Sequence, residues 1–315
     1  MNIVILEPIG LSTSELKLKL QPLNHHNITI YDSISKNKEE MIKRSESADV
    51  LIIANTPLEE EVISKCPHLK MISVAFVGID HIAQDICKKR NILIANAANY
   101  CTNAVAELTL GLTLSVLRNI PQCDVKTRAL KTKEGLIGNE LYQKTFGIIG
   151  TGAIGTQVAI IALAFGCQVL AYSRNENKSL IDLGVQYLPL KELMKTADII
   201  SLHVALTKDT KQLINKEMID LMKANAILIN TARGPIVDQK YLALALKNKA
   251  IAGAGIDVFD TEPALTKDEA LLYEATAVLT PHVAYATKES IQRRADIVIE
   301  NIIAYLNKKP QNVVL

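Results

Sequence analysis

A chain of 315 residues, 49% hydrophobic and 22% charged, has the composition of an ordinary globular protein with room for about two domains. Its 35 basic and 33 acidic residues are mixed along the chain and nearly cancel, which leaves no electrostatic footprint for nucleic acid or a membrane surface. No apolar run is long enough to span a bilayer, and Glu7 interrupts the opening MNIVILEPIG too early for a signal peptide, so a cytoplasmic location is expected.

The N-terminal third alternates short strands with charged segments of helical period. Strands are expected at Ile3–Leu6, Ile28–Tyr31, Val50–Ala54, Met71–Ala75 and Ile92–Ala95, with helical segments at Lys36–Glu46, Glu59–Lys65 and His81–Arg90. Such alternation implies βαβ units and a mostly parallel sheet. A long helix, Ala104–Asn119, then interrupts the pattern. Its apolar positions cover most of its circumference, so burial on more than one side is expected. After the loop-rich stretch Lys131–Lys144 a second series begins. Its strands are Gly147–Ile149, Gln168–Tyr172, Ile199–Val204, Ala226–Asn230, Ala254–Val258 and Ala277–Thr280, followed by a final helix at Lys288–Leu306. The fold class expected is α/β, with two doubly wound parallel-sheet domains and a cleft between them. Five scattered cysteines (Cys66, Cys87, Cys101, Cys123, Cys167) form no C-x-x-C pair, which argues against a disulfide framework or a metal site and for a reducing compartment.

The second series opens on KTFGIIGTGAIGTQVAIIALAFGCQVLAYSR, residues 144–174. A short apolar strand leads into Gly150, Gly152 and Gly155 with G-x-G-x-x-G spacing, then a helix-like run and a second strand. If a dinucleotide binds here, Gly150 permits the tight turn, Gly152 lets backbone approach a pyrophosphate, and Gly155 lets the helix lie close on the strand. The helix N-terminus adds free N–H groups and the positive end of its dipole. Glycines alone are a weak signal, because turns use them whatever the function. The order strand, turn, helix, strand is what gives this one weight.

Three residues that follow strands suit acid–base chemistry on a carboxylate substrate. Arg233, in INTARGP, offers a planar fork to a carboxylate, against the plain reading of a solvated arginine. Glu262, in DVFDTEP, taken alone reads as a loop carboxylate. His282, in LTPHVA, stands at a strand end where proline fixes the chain direction, and imidazole titrates nearest neutrality. His25, His26 and His68 are read as structural or exposed.

With these residues in place the chain resembles the D-isomer-specific 2-hydroxyacid dehydrogenase family, being similar to its glyoxylate/hydroxypyruvate reductases and related to its phosphoglycerate dehydrogenases. The resemblance runs over essentially the whole length and rests on GTGAIG at 150–155, LHVALTKDTKQLIN at 202–215, INTARGPIVD at 229–238, GIDVFDTEP at 255–263 and TPHVAYAT at 280–287. It implies a flavodoxin-like substrate domain, 1–98 with 288–315, and a Rossmann cofactor domain, 99–287. It implies that Arg233 binds the substrate carboxylate and that His282 exchanges a proton with the 2-oxo oxygen. Glu262 would orient the imidazole and favour its protonated form. For the dinucleotide it points to Ala153 and Ile154 beside the three glycines, to Ser173 and Arg174, to His203, Val204, Ala205 and Thr210, and to Thr231, Ala232, Asp257 and Ala284. Asp257 would accept from the nicotinamide amide. His203 has a structural alternative, because it sits between apolar residues. For the substrate carboxylate it points to the backbone of Val77 and Gly78, with Phe76 and Tyr100 as candidate pocket walls. No metal is expected, and helix 104–119 is expected to join two copies as a homodimer.

Two departures from the family pattern refine the expectation. NAD-preferring members carry an acidic residue after the second strand of the dinucleotide motif, where this chain has Ser173-Arg174. Serine and guanidinium suit a 2′-phosphate, so NADP(H) is favoured over NAD(H). Phosphoglycerate-specific relatives hold phosphate with arginines near the third strand and the loop at Gly78, where residues 53–57 and 73–77 here contain no basic side chain. The reading is therefore an NAD(P)-dependent reductase of a small unphosphorylated 2-oxo acid, giving a D-2-hydroxy acid. The alternatives are a dinucleotide-sensing, corepressor-like binding protein, since fold and triad alone do not require turnover, a phosphoglycerate dehydrogenase, or an enzyme oxidising formate or phosphite.

Overall fold

The computed structural model describes residues 1–262 and 265–315, so that Pro263, the last residue of the GIDVFDTEP motif, lies outside the described residues. The chain divides into two compact units, Met1–Cys101 with Ala286–Leu315, and Thr102–Tyr285.

The first unit is built on five strands: β1 (Asn2–Ile5), β2 (Asn27–Ile30), β3 (Val50–Ile53), β4 (Met71–Val74) and β5 (Leu93–Asn96). They pair in parallel in the order β2-β1-β3-β4-β5, the flavodoxin-like arrangement. Every residue of β3 (VLII) and β4 (MISV) is buried. Unbroken runs of this kind belong to strands covered on both faces, where alternation would expose one side. The last helix, Lys288–Leu306, returns to this unit. Thr287 and Ser290 cap it reciprocally, it buries Ala295, Val298, Ile299 and Ile302, and its Val298 carbonyl accepts from Ser73 Oγ of β4 at 3.1 Å.

The second unit carries seven strands: β6 (Thr145–Ile149), β7 (Gln168–Tyr172), β8 (Gln186–Tyr187), β9 (Ile199–Leu202), β10 (Ile227–Asn230), β11 (Gly253–Ile256) and β12 (Ala277–Leu279). All pairs are parallel, in the order β12-β11-β10-β9-β6-β7-β8. The long helix spans Thr102–Leu117, two residues earlier than the sequence pattern placed it, and packs on β10, β11, β12 and the helix Ala153–Ala164. Glycine in β11 is what admits it. A Cβ on Gly253 would come within 2.6 Å of Val116, and one on Gly255 within 2.9 Å of Leu112.

Several expected strands stop short of their sequence-based ends. Leu6, Ala54 and Ala75 are buried but lie past the last paired residue of their strands. Apolar character reports burial, and burial continues past the register, where Leu6 and Ala75 keep one last N–H bond to the neighbouring strand and Ala54 donates to Glu7 instead. The sequence pattern also missed β8, only two residues long, and the helix Ile120–Arg128, which buries no residue and so has no apolar face to read. Among the described residues no helix is long and apolar enough to cross a membrane.

Candidate active site

Because the seven strands of the second unit run parallel, their carboxyl ends share one edge, and most of the chemistry-bearing motifs lie along it. In spatial order His282 follows β12, Asp257 and Glu262 follow β11, Thr231 and Arg233 follow β10, His203 follows β9, the glycine turn follows β6, and Ser173-Arg174 follow β7. The chain leaves β6 toward β7 on one side and has β9 on the other. That is the switch point where an open parallel sheet presents a crevice.

At the turn, Gly150 has φ 97° and donates its N–H to the Tyr172 carbonyl at 2.7 Å. A Cβ on Gly155 would lie 1.9 Å from the Gly150 carbonyl oxygen, so this close approach requires glycine. A Cβ on Gly152 would meet nothing within 4 Å. Gly152 is also the N-cap of the helix Ala153–Ala164 and supplies no side-chain hydrogen bond to it. An open position above an uncapped helix N-terminus fits a pyrophosphate, and Ala153 and Ile154 form its first turn. A polar network fixes the loop after β7. Tyr187 Oη donates to Thr151 Oγ1 at 3.0 Å and accepts the Asn177 N–H at 2.9 Å, while Asn177 Nδ2 donates to Thr156 Oγ1 at 3.1 Å. In that loop Ser173 is half-buried and Arg174 exposed.

His203 lies under the turn. Its Nε2 is 2.8 Å from Ser201 Oγ, its Cβ would stand 3.3 Å from a Gly155 Cβ, and burial of its ring pushes the imidazole well below its usual range. It is a neutral floor to the turn. Val204 faces Gly150, whose Cβ would lie 2.8 Å from Val204 Cγ1, and Thr210 Oγ1 closes its own loop by donating to the Ala205 carbonyl at 2.6 Å. Thr231 Oγ1 is 3.0 Å from Thr109 Oγ1 of the long helix.

The two residues that carry acid–base character meet directly. His282 Nδ1 is 2.5 Å from Glu262 Oε2, and Glu262 Oε1 accepts the Phe259 N–H at 2.7 Å. Burial alone would raise the Glu262 carboxyl. The hydrogen bond from His282, the Phe259 N–H and the positive charges of His282 and Arg233 outweigh it and hold the group below the usual carboxylate range. Glu262 therefore stays ionised at neutral pH, and its share of folded stability is lost only as pH falls through that depressed value. The Tyr285 ring stands edge-on to His282 at 5.7 Å between centroids.

His282 has φ 53°, in the left-handed region. Asp257 holds it there. The Asp257 carbonyl accepts the His282 N–H at 2.7 Å, its Oδ1 accepts from Thr280 Oγ1 at 2.5 Å and the Val283 N–H at 2.9 Å, and its Oδ2 accepts the Ala284 N–H at 2.9 Å. Burial raises the Asp257 carboxyl and these donors oppose that rise.

Three positioning residues escaped the sequence reading. Asn230, fully buried at the end of β10, accepts the Ala232 N–H at 3.0 Å and donates to the Arg233 carbonyl at 2.9 Å, which shapes the turn that presents Arg233. Asparagine directly before TARG was the available signal. Gln239, buried, donates to the Val258 carbonyl at 2.9 Å and steadies the loop of Glu262; its partner lies 19 positions away, beyond any local pattern. Gly234 lets the Arg233 turn touch that same loop, because a Cβ there would lie 2.1 Å from the Phe259 carbonyl carbon and oxygen.

In the first unit Val77 and Gly78 follow β4, Val77 exposed and Gly78 half-buried. Phe76 and Tyr100 are both buried, meet edge-on at 6.3 Å, and lie beneath the Arg294 guanidinium. Among the described residues no group of three or more His, Cys, Asp or Glu side chains is placed to hold a metal ion.

Residues 110–284 match the family model described as D-isomer specific 2-hydroxyacid dehydrogenase, NAD binding domain. A glyoxylate reductase of Korarchaeum cryptofilum is 37% identical over 291 residues, 90% of this chain and 87% of that protein. A D-3-phosphoglycerate dehydrogenase of Methanocaldococcus jannaschii is 39% identical over 299 residues, 90% of this chain; the chain spans only 56% of that protein's length. Among solved structures, an acyclic imino acid reductase in complex with NADPH and D-Arg matches with a TM-score of 0.92 and 33% identity over 100% of both chains.

Replacing Gly234 tests the dependence of the Arg233 turn on its close approach to the Glu262 loop. Backbone faces backbone at this point, so Gly234→Ala forces the two segments apart at a cost of roughly 1–3 kcal/mol. The expected result is a thermal midpoint lower by about 2–4 °C per kcal/mol for a unit of this size. A variant that melts with the wild type would show the approach to be dispensable.

Proposed function

Because the chain belongs to the D-isomer specific 2-hydroxyacid dehydrogenase family, we propose that it reduces a small 2-oxo acid to the D-2-hydroxy acid at the expense of NADPH. The observation that carries this is the His282–Glu262 pair, 2.5 Å apart, on the same sheet edge as the glycine turn. The bound dinucleotide supplies the hydride. The chain's own residues handle charge and the proton. Glu262, kept ionised, takes the hydrogen bond from His282 Nδ1 and leaves Nε2–H to face the substrate oxygen. As the carbonyl carbon is reduced, that proton passes to the developing alkoxide, and solvent restores it afterwards. Arg233, in the second unit, offers its fork to a substrate carboxylate, and in the first unit the Val77–Gly78 backbone offers carboxylate donors of its own. The first unit is thus the substrate domain and the second the dinucleotide domain.

A phosphorylated substrate is disfavoured by the loop after β3. Glu7, only 5% exposed, accepts the Ala54 and Thr56 N–H groups at 2.8 and 3.0 Å and the Thr56 hydroxyl at 2.5 Å. The loop's donors are turned inward onto a carboxylate, which a phosphate would meet with repulsion. None of the five cysteines forms a disulfide among the described residues, which fits a reducing compartment and supports a cytoplasmic location.

A panel of 2-oxo acids led by glyoxylate and hydroxypyruvate, with ammonia-supplied imino acids alongside, tests the reading by dinucleotide oxidation at micromolar protein. Turnover also separates an enzyme from a dinucleotide-sensing binding protein. His282→Ala is expected to lose about 10²–10⁴ in turnover, the usual share of general acid–base catalysis. Near-wild-type single-turnover hydride transfer in that variant would sink the assignment.

NADPH preference rests on Ser173-Arg174, where no carboxylate opposes a 2′-phosphate. A charged hydrogen bond is worth roughly 1.5–3 kcal/mol, or about ten- to a hundredfold in affinity. Arg174→Ala should raise the KM for NADPH by about that factor and leave the KM for NADH unchanged. Wild-type efficiency with NADH equal to that with NADPH overturns the preference.

A homodimer through the long helix is supported by Gly111. Mid-helix glycine costs about 1 kcal/mol against alanine, and a Cβ there would meet nothing within 4 Å, so its own chain gives no reason for it. Close approach of a second copy does. The segment after the helix leaves large apolar side chains in solvent, among them Val125, Leu130, Ile137 and Tyr142. Sedimentation at micromolar concentration should report a dimer, and Gly111→Leu a folded monomer. A wild-type monomer would end this part of the proposal.

A further inference from the structure

The Val77–Gly78 segment takes the substrate carboxylate in the function proposed above, and the first unit contains a device that aims it. Asn96 ends β5 and is 7% exposed; its Nδ2 donates to the Val77 carbonyl at 2.7 Å. That carbonyl and the Gly78 N–H belong to one peptide group. In a planar trans peptide the two point in opposite directions. Pinning the carbonyl on a buried side chain therefore turns the Gly78 N–H away from Asn96. The neighbouring peptide is held as well, since the Ala97 N–H donates to the Phe76 carbonyl at 3.0 Å.

Asn96 is itself held from behind. Its carbonyl accepts from Asn301 Nδ2 at 2.9 Å, and its N–H donates to the Asn312 carbonyl at 3.0 Å. Asn301, fully buried in the last helix, accepts at Oδ1 from Asn312 Nδ2 at 2.8 Å. Asn312 has φ 52°, a conformation that asparagine adopts more readily than most residues. A buried amide costs free energy unless its groups are bonded. Here the bonds lead from the segment after the last helix, through that helix and the end of β5, to the loop at Val77. Asn301 and Asn312 hold Asn96 through its backbone. Of its own side-chain amide, Nδ2 is bonded to the loop and Oδ1 is buried without a partner among the described residues. The bond to Val77 is therefore what ties the side chain, and the loop's peptide with it, to the strand end.

We infer that Asn96 is a positioning residue for 2-oxo acid reduction, aiming the Gly78 N–H at the substrate carboxylate through its hydrogen bond to the Val77 carbonyl, with Asn301 and Asn312 holding it in register. The inference rests on the proposed 2-oxo acid site. A purely structural role would change stability alone. A positioning role changes how well a carboxylate is held, at constant dinucleotide affinity.

The test uses Asn96→Asp, equal in shape but with a charged acceptor in place of the donor, together with Asn96→Ala and the remote Asn312→Ala, which add no charge that could repel a carboxylate. Oxamate, an unreactive analogue of a 2-oxo acid, is titrated into the protein–NADPH complex by fluorescence, beside KM and kcat for glyoxylate and hydroxypyruvate. Both Asn96 variants are expected to weaken oxamate and raise KM about tenfold or more, the effect of mis-aiming one hydrogen bond to a charged group. The affinity for NADPH should stay within about twofold, and kcat should fall less than KM rises. Asn312→Ala, which removes a bond two steps from the loop, should give the same signature at about two- to threefold. If Asn96→Ala does not fold, Asn96→Asp and Asn312→Ala decide. Arg233→Ala serves as the reference. If it weakens oxamate while the folded Asn96 variants bind it as the wild type does, the positioning role is wrong and the proposed function stands. If wild-type protein neither binds oxamate nor reduces a 2-oxo acid, the underlying reading falls and the inference with it.

Discussion

The second unit depends on keeping the His282 backbone at φ 53°, a conformation that costs a residue with a β-carbon on the order of 1–2 kcal/mol. An extended backbone at that position would carry the imidazole on along the line of β12. The left-handed turn brings Nδ1 onto Glu262 instead. Asp257 makes the turn possible by collecting the Thr280 hydroxyl and the Val283 and Ala284 N–H groups on one buried carboxylate, while its own carbonyl receives the His282 N–H. Burial makes that carboxylate costly to keep ionised, and charged hydrogen bonds of roughly 1.5–3 kcal/mol each offset part of that cost. Strain held at one residue by several converging bonds is the arrangement expected where geometry serves chemistry.

Much of this edge was legible in the sequence. In a parallel sheet every strand's carboxyl end falls on one side, so a motif that directly follows a strand is placed by the strand alone. Arg233 after β10, His282 after β12 and the glycines after β6 could therefore be brought to one edge without any coordinates. What escaped were partners whose bonds cross long stretches of sequence. Nothing near Asn96 announces that Asn301 and Asn312 lie behind it, and Gln239 gives no local sign that it steadies the loop of Glu262. Strand ends escaped for another reason. Leu6, Ala54 and Ala75 are as buried as the strands they follow, and hydrophobicity cannot tell a paired residue from a packed one.

The two ends of the proposed reaction differ in how they treat phosphate. After β7, where a carboxylate would exclude a 2′-phosphate, Ser173 and Arg174 offer a hydroxyl and a guanidinium. After β3 the position is reversed. Glu7 places a buried negative charge beneath the loop and consumes the N–H groups of Ala54 and Thr56, the donors an anion would need. Relatives named glyoxylate reductase and D-3-phosphoglycerate dehydrogenase share the family, and in the function proposed above two backbone N–H groups turned onto Glu7 disfavour a phosphate at this loop. A single arginine added to that loop would not reverse it, because the inward carboxylate would remain.

The same device recurs at four strand ends. Glu7 beyond β1, Asn96 at the end of β5, Asn230 at the end of β10 and Asp257 beyond β11 are all buried and polar, and each spends its side chain on the backbone of a loop at the carboxyl edge. A parallel strand leaves its last carbonyl and the next N–H groups without ladder partners, and a loop has no regular structure of its own to satisfy them. A buried polar side chain at that point does two things at once. It satisfies backbone that would otherwise be stranded, and it favours one loop conformation over others in which that backbone group would be left unbonded in the interior. The residues to which the chemistry is assigned above, Arg233 and His282, can then sit on loops whose backbone is tied to the strand ends by buried bonds.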